Sequence, residues 1–339
     1  MPQPLITVIM PVYNAERTIE TALKSIRMQT IPAEDIEILV IDGGSTDQSR
    51  AIARTYGAVV IDNPLRLPEP AKRIGLQCAQ GRYVVRQDSD EELLTNDQLQ
   101  RRLELFQHFP DVKGIVCDKQ IPGKHGGLAA RYLCLCGDPF SQFVYRSKAS
   151  IIESFGAAIA EQDSFGCLLR FNVDDLTPIG DGGTTMFDLQ WIKQAFPEEW
   201  DSKQFTCSVF NHICTQTGCC GCIPGDDIVH HVHAGVSLYL SKLRFRVVNN
   251  LFHPQESGFT SRSGRRVPGS KLRRRKHWFI LYALSVLGPL LDGIRLAIRY
   301  GDLSMLLHFF YVYFVCANIA FYSVKKLLGW SVKGARYGK

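Results

Sequence analysis

The chain has 339 residues, of which 45% are hydrophobic and 21% charged. That is enough apolar material for one sizeable globular domain with something added, and it excludes global disorder. The formal charge of +6 is gathered late, at Arg262, Arg265, Arg266, Lys271, Arg273, Arg274, Arg275 and Lys276, and again at Lys325, Lys326, Lys333, Arg336 and Lys339. Basic residues at the edges of apolar stretches point to a membrane surface, and the lack of a basic platform interleaved with aromatic residues argues against nucleic acid.

Residues 5–10 (LITVIM) read as a buried strand ended by Pro11. Asn14 is expected to cap a helix, because Ile19, Ala22, Leu23 and Ile26 follow at helical spacing. Residues 36–41 (IEILVI) read as a second strand, stopped by Asp42-Gly43-Gly44-Ser45. A helix over 46–56, a third strand over 58–61, an amphipathic helix over 69–80 and a fourth strand over 82–86 complete the pattern. Such alternation predicts an α/β fold with a mostly parallel sheet, helices on its faces and right-handed crossovers. Ligands of such sheets gather at the carboxyl ends of the strands. Polar clusters follow three of these strands: Tyr13-Asn14, Asp42 to Asp47, and Asp88 to Glu92. Polar turns occur in any protein, but their recurrence at successive strand ends predicts a shared site.

The pattern weakens after residue 120. Gly126-Gly127 and Gly180 to Gly183 mark loops, and 236–252 reads as an amphipathic helix carrying Lys242, Arg244 and Arg246. Residues 253–276 read as a basic linker lying on a surface. Leu303 to Val324 has no Asp, Glu, Lys or Arg, and it is long enough to span a hydrocarbon core. Trp278 to Leu291 is shorter and is followed by Asp292 and Arg295, so it reads either as a span with a polar patch or as an interfacial helix. Positive charge on both flanks predicts a hairpin of two membrane helices over 277–325, turning near Gly301-Asp302, with 326–339 as a basic cytoplasmic tail. The catalytic domain is expected over 1–235, with a donor half to residue 120 and an acceptor half over 121–235, followed by a juxtamembrane segment over 236–276. Met1 to Pro4 leads almost directly into a strand. No secretory signal is therefore expected, and the domain is placed on the cytoplasmic side with reduced thiols. Of the 11 cysteines, Cys219, Cys220 and Cys222 read as a reduced loop, since a second well-spaced pair for structural zinc is missing.

The chemistry centres on Asp88-Ser89-Asp90. Two carboxylates one residue apart at a strand end can hold a hard divalent cation, and that cation can bridge a diphosphate. In Asp42-Gly43-Gly44-Ser45-Thr46-Asp47 the glycines admit a ligand close to the backbone. The same stretch can equally cap the next helix.

The order PVYNAERTIETALKSIRMQT, IEILVIDGGSTDQS, AKRIGLQCAQGRYVVRQDSD resembles the donor half of the glycosyltransferase family 2 enzymes over about residues 5–120. The resemblance implies a GT-A fold, a nucleotide-sugar donor, Mg²⁺ or Mn²⁺, and inversion at the anomeric carbon. It places Pro11, Val12, Tyr13 and Asn14 along the nucleotide, Asp42 at the base or ribose, and Lys72 and Arg73 facing the nucleotide. Asp88 and Asp90 become the metal pair. Of His230, His231 and His233, the resemblance favours His231 and His233 beside the metal, a role that neutral imidazole can fill. Thr177 to Thr184 resembles an acceptor-side loop. For the general base the candidates are Asp188 and Asp201. A lipid phosphate acceptor arrives ionised and needs no strong base. The expected function is transfer of a hexose to a lipid-linked or membrane-proximal acceptor. Extension of a glycan and non-catalytic donor binding are the alternatives. A dinucleotide oxidoreductase is disfavoured, because no G-x-G-x-x-G follows the first strand.

Overall fold

The computed structural model describes residues 3–146, 148–172, 184–206, 208–232, 235–252 and 275–332. The chain forms two units, Met1–Gln120 with Ser150–His231, and Ile121–Ala149 with Val232–Lys339. Residues 121–149, expected in the catalytic domain, therefore group with the C-terminal helices.

The strands of the first unit begin with β1 (Ile6–Val12), β2 (Ile36–Asp42), β3 (Val59–Asp62), β4 (Tyr83–Arg86), β5 (Glu91–Leu93) and β6 (Gly114–Val116). After β7 (Gln120–Pro122), which leads out of the unit, come β8 (Ile159–Gln162), β9 (Cys167–Arg170), β10 (Thr185–Asp188), β11 (Cys219–Cys222) and β12 (Ile228–His230). Nine of them form one sheet in the order β3-β2-β1-β4-β10-β6-β11-β9-β8. Only β9 and β10 run against the others, so the sheet is mostly parallel, as the alternation predicts.

β1 lies at the heart of the sheet, and Ile6, Val8, Ile9 and Met10 are all fully buried. A strand covered on both faces has to be a continuous apolar run. Pro11 does not end it. The ladder continues with Pro11 opposite Ile41 and Val12 opposite Asp42. Two glycines let the layers close. A Cβ on Gly81 would lie 2.6 Å from the Thr7 nitrogen, and one on Gly75, in the helix Pro68–Cys78, would lie 2.3 Å from Ile9 Cγ2.

The cysteine cluster, expected in a loop, is β11, buried throughout between β6 and β9. Cys167, Cys214, Cys220 and Cys222 share one small core with Phe210 and Leu169. There the thiols pack as small hydrophobes.

The second unit is helical: Leu128–Cys136, Pro139–Tyr145, Val236–Phe252, Phe279–Leu284, Leu287–Tyr300 and Leu307–Leu327. Tyr132, Phe143, Tyr239, Phe279 and Tyr311 form its core. Among the described residues one helical stretch, Leu303–Leu327, is long and apolar enough to cross a membrane, and 33% of its apolar window is buried. The other expected span is not one straight helix. It breaks after Leu284 and bends by 97° before resuming at Leu287. Val286 takes φ +57° at the break, an unusual conformation for a β-branched residue.

Candidate active site

The register brings the carboxyl ends of β1, β2 and β4 to one edge. Val12 lies opposite Asp42, and the Gln87 N–H donates to Ile9 O at 3.2 Å. The loops leaving these strands interlock. Asn14 stands at φ +49°, and its Oδ1 accepts from Thr46 N at 2.8 Å. Ser45 Oγ accepts from Asn14 N, Ser49 Oγ from Ala15 N, and Asp47 Oδ2 from Glu16 N. Asn14 therefore ties the first loop to the second instead of capping a helix, and the helix begins only at Ile19.

Asp42 is the hub of this lattice. Its carboxylate accepts from Gly44 N and Ser45 N at 3.0 Å and from Ser45 Oγ. Arg50 Nη1 lies 2.9 Å away, and the Asp42 side chain has no exposed area. The expectation that this carboxylate meets a base or ribose thus finds it turned inward, shaping the turn. Gly43 is buried under its neighbours, a Cβ there lying 3.4 Å from the Tyr13 ring and 3.5 Å from Arg66 Cα, while Gly44 is half-buried.

The second element of the site follows β4. Glu91 is buried, and its Oε2 accepts from Asp88 N at 3.1 Å and Thr184 Oγ1 at 3.2 Å. Burial, and then the charge of Asp88, push its carboxyl up to about 8. The group is held largely neutral at pH 7 and fixes the turn that carries Asp88 and Asp90. β12 pairs antiparallel with β5, setting His230 opposite Glu91, and the His231 N–H donates to Asp90 O at 2.7 Å.

The side chains sort differently from the backbone. His230 Nε2 lies 3.3 Å from Asp90 Oδ2, whereas the His231 ring lies 2.6 Å from Glu92 Oε2. His230, not the expected His231, is therefore the imidazole at Asp90, because side chains alternate along a strand. His233 lies outside the described residues, as do residues 177–183 of the acceptor-side loop. His230 is one of the three histidines the sequence offers but not one of the two favoured, and Glu91 is not among the expected site residues. Glu91 was detectable from sequence, since in period two it shares a face with apolar Leu93.

The structure does not bring the proposed bases to this edge. Asp188 lies opposite Tyr83, at the start of β4 and thus the far end of the ladder from Asp88. It caps the helix Leu189–Ala195 through Trp191 N and pairs with Arg82 at 3.1 Å. Asp201 accepts from Gln77 Nε2 at 2.6 Å and lies 3.4 Å from Arg73, on the later turns of the helix Pro68–Cys78. Arg73 is thereby directed to Asp201, while Lys72 is half-buried beside it.

Residues 7–164 match the family model described as Glycosyl transferase family 2. This stretch is a family 2 glycosyltransferase domain. Over 113 residues the chain is 38% identical to an uncharacterized glycosyltransferase of Haemophilus influenzae, covering 30% of this chain and 42% of that protein. Over 93 residues it is 36% identical to a poly(ribitol-phosphate) beta-glucosyltransferase of Bacillus spizizenii, covering 25% and 15%. The chain thus spans less than half the length of either relative. Among solved structures, the mannosyltransferase PcManGT from Pyrobaculum calidifontis, in complex with GDP-Man and Mn²⁺, superposes with a TM-score of 0.53 at 18% identity. That alignment covers 94% of this chain and 87% of the other, and it assigns the GT-A fold.

Among the described residues no three His, Cys, Asp or Glu side chains group closely enough to cage a metal ion. Asp90 with His230 offers one carboxylate and one imidazole at the edge. This fits a Mg²⁺ or Mn²⁺ that takes few protein ligands and completes its shell from substrate phosphate and water.

Proposed function

We propose that this protein is an inverting glycosyltransferase that moves a hexose from a nucleotide sugar to a lipid-linked or membrane-proximal acceptor. The observation that carries the reading is the meeting of Asp90 with His230, from β12, at the carboxyl edge where the Asp42 turn also ends. The nucleoside would lie against Tyr13 and the turn that carries Gly43 and Gly44. Asp90 and His230 would hold the divalent cation, with Asp88 beside them. When bound, that cation would offset the charge of the departing nucleoside diphosphate.

The protein's own contribution is orientation. Glu91 and Thr184 fix the turn bearing Asp88 and Asp90, and the Asn14–Thr46 and Asp47–Glu16 bonds fix the nucleoside side. A pre-set edge of this kind holds donor and acceptor in line for a single displacement. Asp188 and Asp201 both lie away from Asp90. An acceptor that arrives ionised, as a lipid phosphate does, is compatible with this placement, since it needs no base. The apolar helix Leu303–Leu327 and the basic residues around the C-terminal helices support work at a membrane, with the catalytic domain on the cytoplasmic side.

The test is a donor panel. Full-length protein in detergent is given UDP-, GDP- and TDP-sugars with and without Mn²⁺ or Mg²⁺, and nucleoside diphosphate release is followed. Cation-dependent turnover of one donor supports the reading and names the sugar. Donor binding without release in the presence of lipid phosphate or glycan acceptors would overturn it in favour of a non-catalytic binding protein.

A further inference from the structure

The helix Leu287–Tyr300 is built inside out for a protein surface. Its acid, Asp292, turns toward the unit, where it takes Arg146 Nη1 at 3.0 Å and the Tyr282 hydroxyl at 2.9 Å. Its outward stripe is Leu287, Leu291 and Ile298, exposed by 65%, 60% and 78%. The preceding helix also exposes Leu281 and Leu284. The long C-terminal helix adds Phe310, Phe321, Val324 and Leu327 at helical spacing, while His308, Tyr311, Val312 and Val315 fill its buried side. A water-facing helix normally shows the opposite arrangement. An apolar face of this extent needs an apolar cover.

A bilayer-crossing arrangement does not fit the packing. The helix Leu287–Tyr300 is about 21 Å long, too short for a hydrocarbon core of about 30 Å. The long helix does not stand alone. Tyr239 packs on Tyr311 at 4.8 Å, Phe252 on Tyr322 at 6.5 Å, and Lys326 Nζ reaches Leu251 O at 2.5 Å. It therefore runs alongside Val236–Phe252 for most of its length. A crossing would carry Lys242 and exposed Arg244 to mid-depth, together with Arg246 and its partner Asp138 at 3.3 Å, where cations are among the costliest side chains to place. Around the apolar stripe lie Arg295, its side chain 76% exposed, and Lys325, with Trp278 and Trp330. Apolar residues in one stripe, cations beside it and tryptophans at the ends are the composition of a helix lying in a headgroup layer. In the sequence, Lys271-Leu272-Arg273-Arg274-Arg275-Lys276 leads directly into the first of these helices.

We propose that the second unit lies in the plane of an anionic lipid leaflet, with this stripe among the acyl chains, and that none of its described helices crosses the bilayer. The inference deepens the membrane reading above. Its test reads binding and topology and not sugar transfer, so the two can fail separately.

Full-length protein is floated with vesicles of phosphatidylcholine alone or with roughly a third phosphatidylglycerol. Binding at least about ten-fold stronger to the anionic vesicles is expected. Combined Leu287→Glu, Leu291→Glu and Ile298→Glu substitutions should lower that binding by about ten-fold or more and leave the unfolding transition in place, because the replaced side chains are exposed. In a Cys78→Ser, Cys207→Ser, Cys316→Ser background, Arg299→Cys and Ser331→Cys variants are treated in sealed vesicles with an impermeant maleimide, added on the side of the N-terminus. Both positions should react. Protection of position 299 would establish a two-span hairpin, and protection of position 331 a single span. Either result overturns the proposal. So does a protein that ignores vesicles and forms a dimer through this face.

Discussion

Asp90 and His230 form the sharpest residue-scale contact of the site. Asp90 retains 32% exposure of its side chain, so truncating it removes a ligand without opening the core. Asp90→Ala should lower cation-dependent turnover on the order of 100-fold or more, the scale of losing one preorganised charge-stabilising group. Its melting temperature should stay near that of the parent protein. A folded variant with ordinary turnover would remove Asp90 from the site. The two histidines divide by the same logic. His230→Ala should raise the Mn²⁺ concentration for half-maximal activity by at least about ten-fold, since losing a ligand costs no less than losing a residue that merely supports one. His231→Ala removes the partner of Glu92 and should shift that concentration less. Equal shifts in a Mn²⁺ titration would show that the side-chain alternation along β12 does not decide which imidazole serves.

Element placement is what makes that contact, and it depends on a buried ion pair. Arg102, in the helix Gln98–His108, donates Nε to Asp226 Oδ2 at 2.8 Å, with both side chains at most 1% exposed. Gln98 Nε2 bonds the other oxygen at 2.6 Å. Asp226 begins the approach to β12, so this pair sets where His230 arrives. Arg102→Leu alone should cost about 3–5 kcal/mol, because it strands a buried carboxylate. The double variant Arg102→Leu, Asp226→Leu should recover much of that loss in denaturant melts. Additive losses would mean that packing, and not charge, is at stake. On the other side of the sheet, Gly81→Ala would push a Cβ into the backbone of β1 and should cost about 1–3 kcal/mol, with activity falling as β4 shifts.

The elements also mark the limit of sequence reading. β1 to β4 and the helices between them were legible, because both-face burial and amphipathic spacing leave period-specific patterns. β11 was not, because Cys-Cys-Gly-Cys has neither β-branched residues nor alternation, although it is wholly buried. Nor was the insertion of β10 between β4 and β6. That choice is made by long-range pairing, which no local pattern records. The donor half of the site shares this legibility. The choice among the three histidines does not, because it depends on how β12 registers against β5.

At the scale of the whole molecule, the C-terminal helices cannot be treated as a detachable anchor. Tyr132 and Phe143 come from residues 121–149, yet they are buried against Phe279, Tyr282 and Tyr311. Tyr239 packs on Tyr311 as well. Crossing the bilayer with Lys242 and Arg244 alongside would cost about 2.5–3.5 kcal/mol for each of these two cations near the centre. Removing the helices fails for the opposite reason. Each large apolar side chain uncovered forfeits about 1.5–3 kcal/mol of burial, and several would be uncovered together. A chain ended after Lys276 should therefore elute in the void volume on size exclusion, even with its sheet domain intact. The full chain carrying Leu287→Glu, Leu291→Glu and Ile298→Glu keeps those contacts and should run as a discrete species at lower detergent. If the truncated chain is monodisperse and the substituted one aggregates, the aromatic cluster is not what holds the second unit together. The expected order separates two roles of these helices, since their inward faces complete a fold and their outward faces meet lipid.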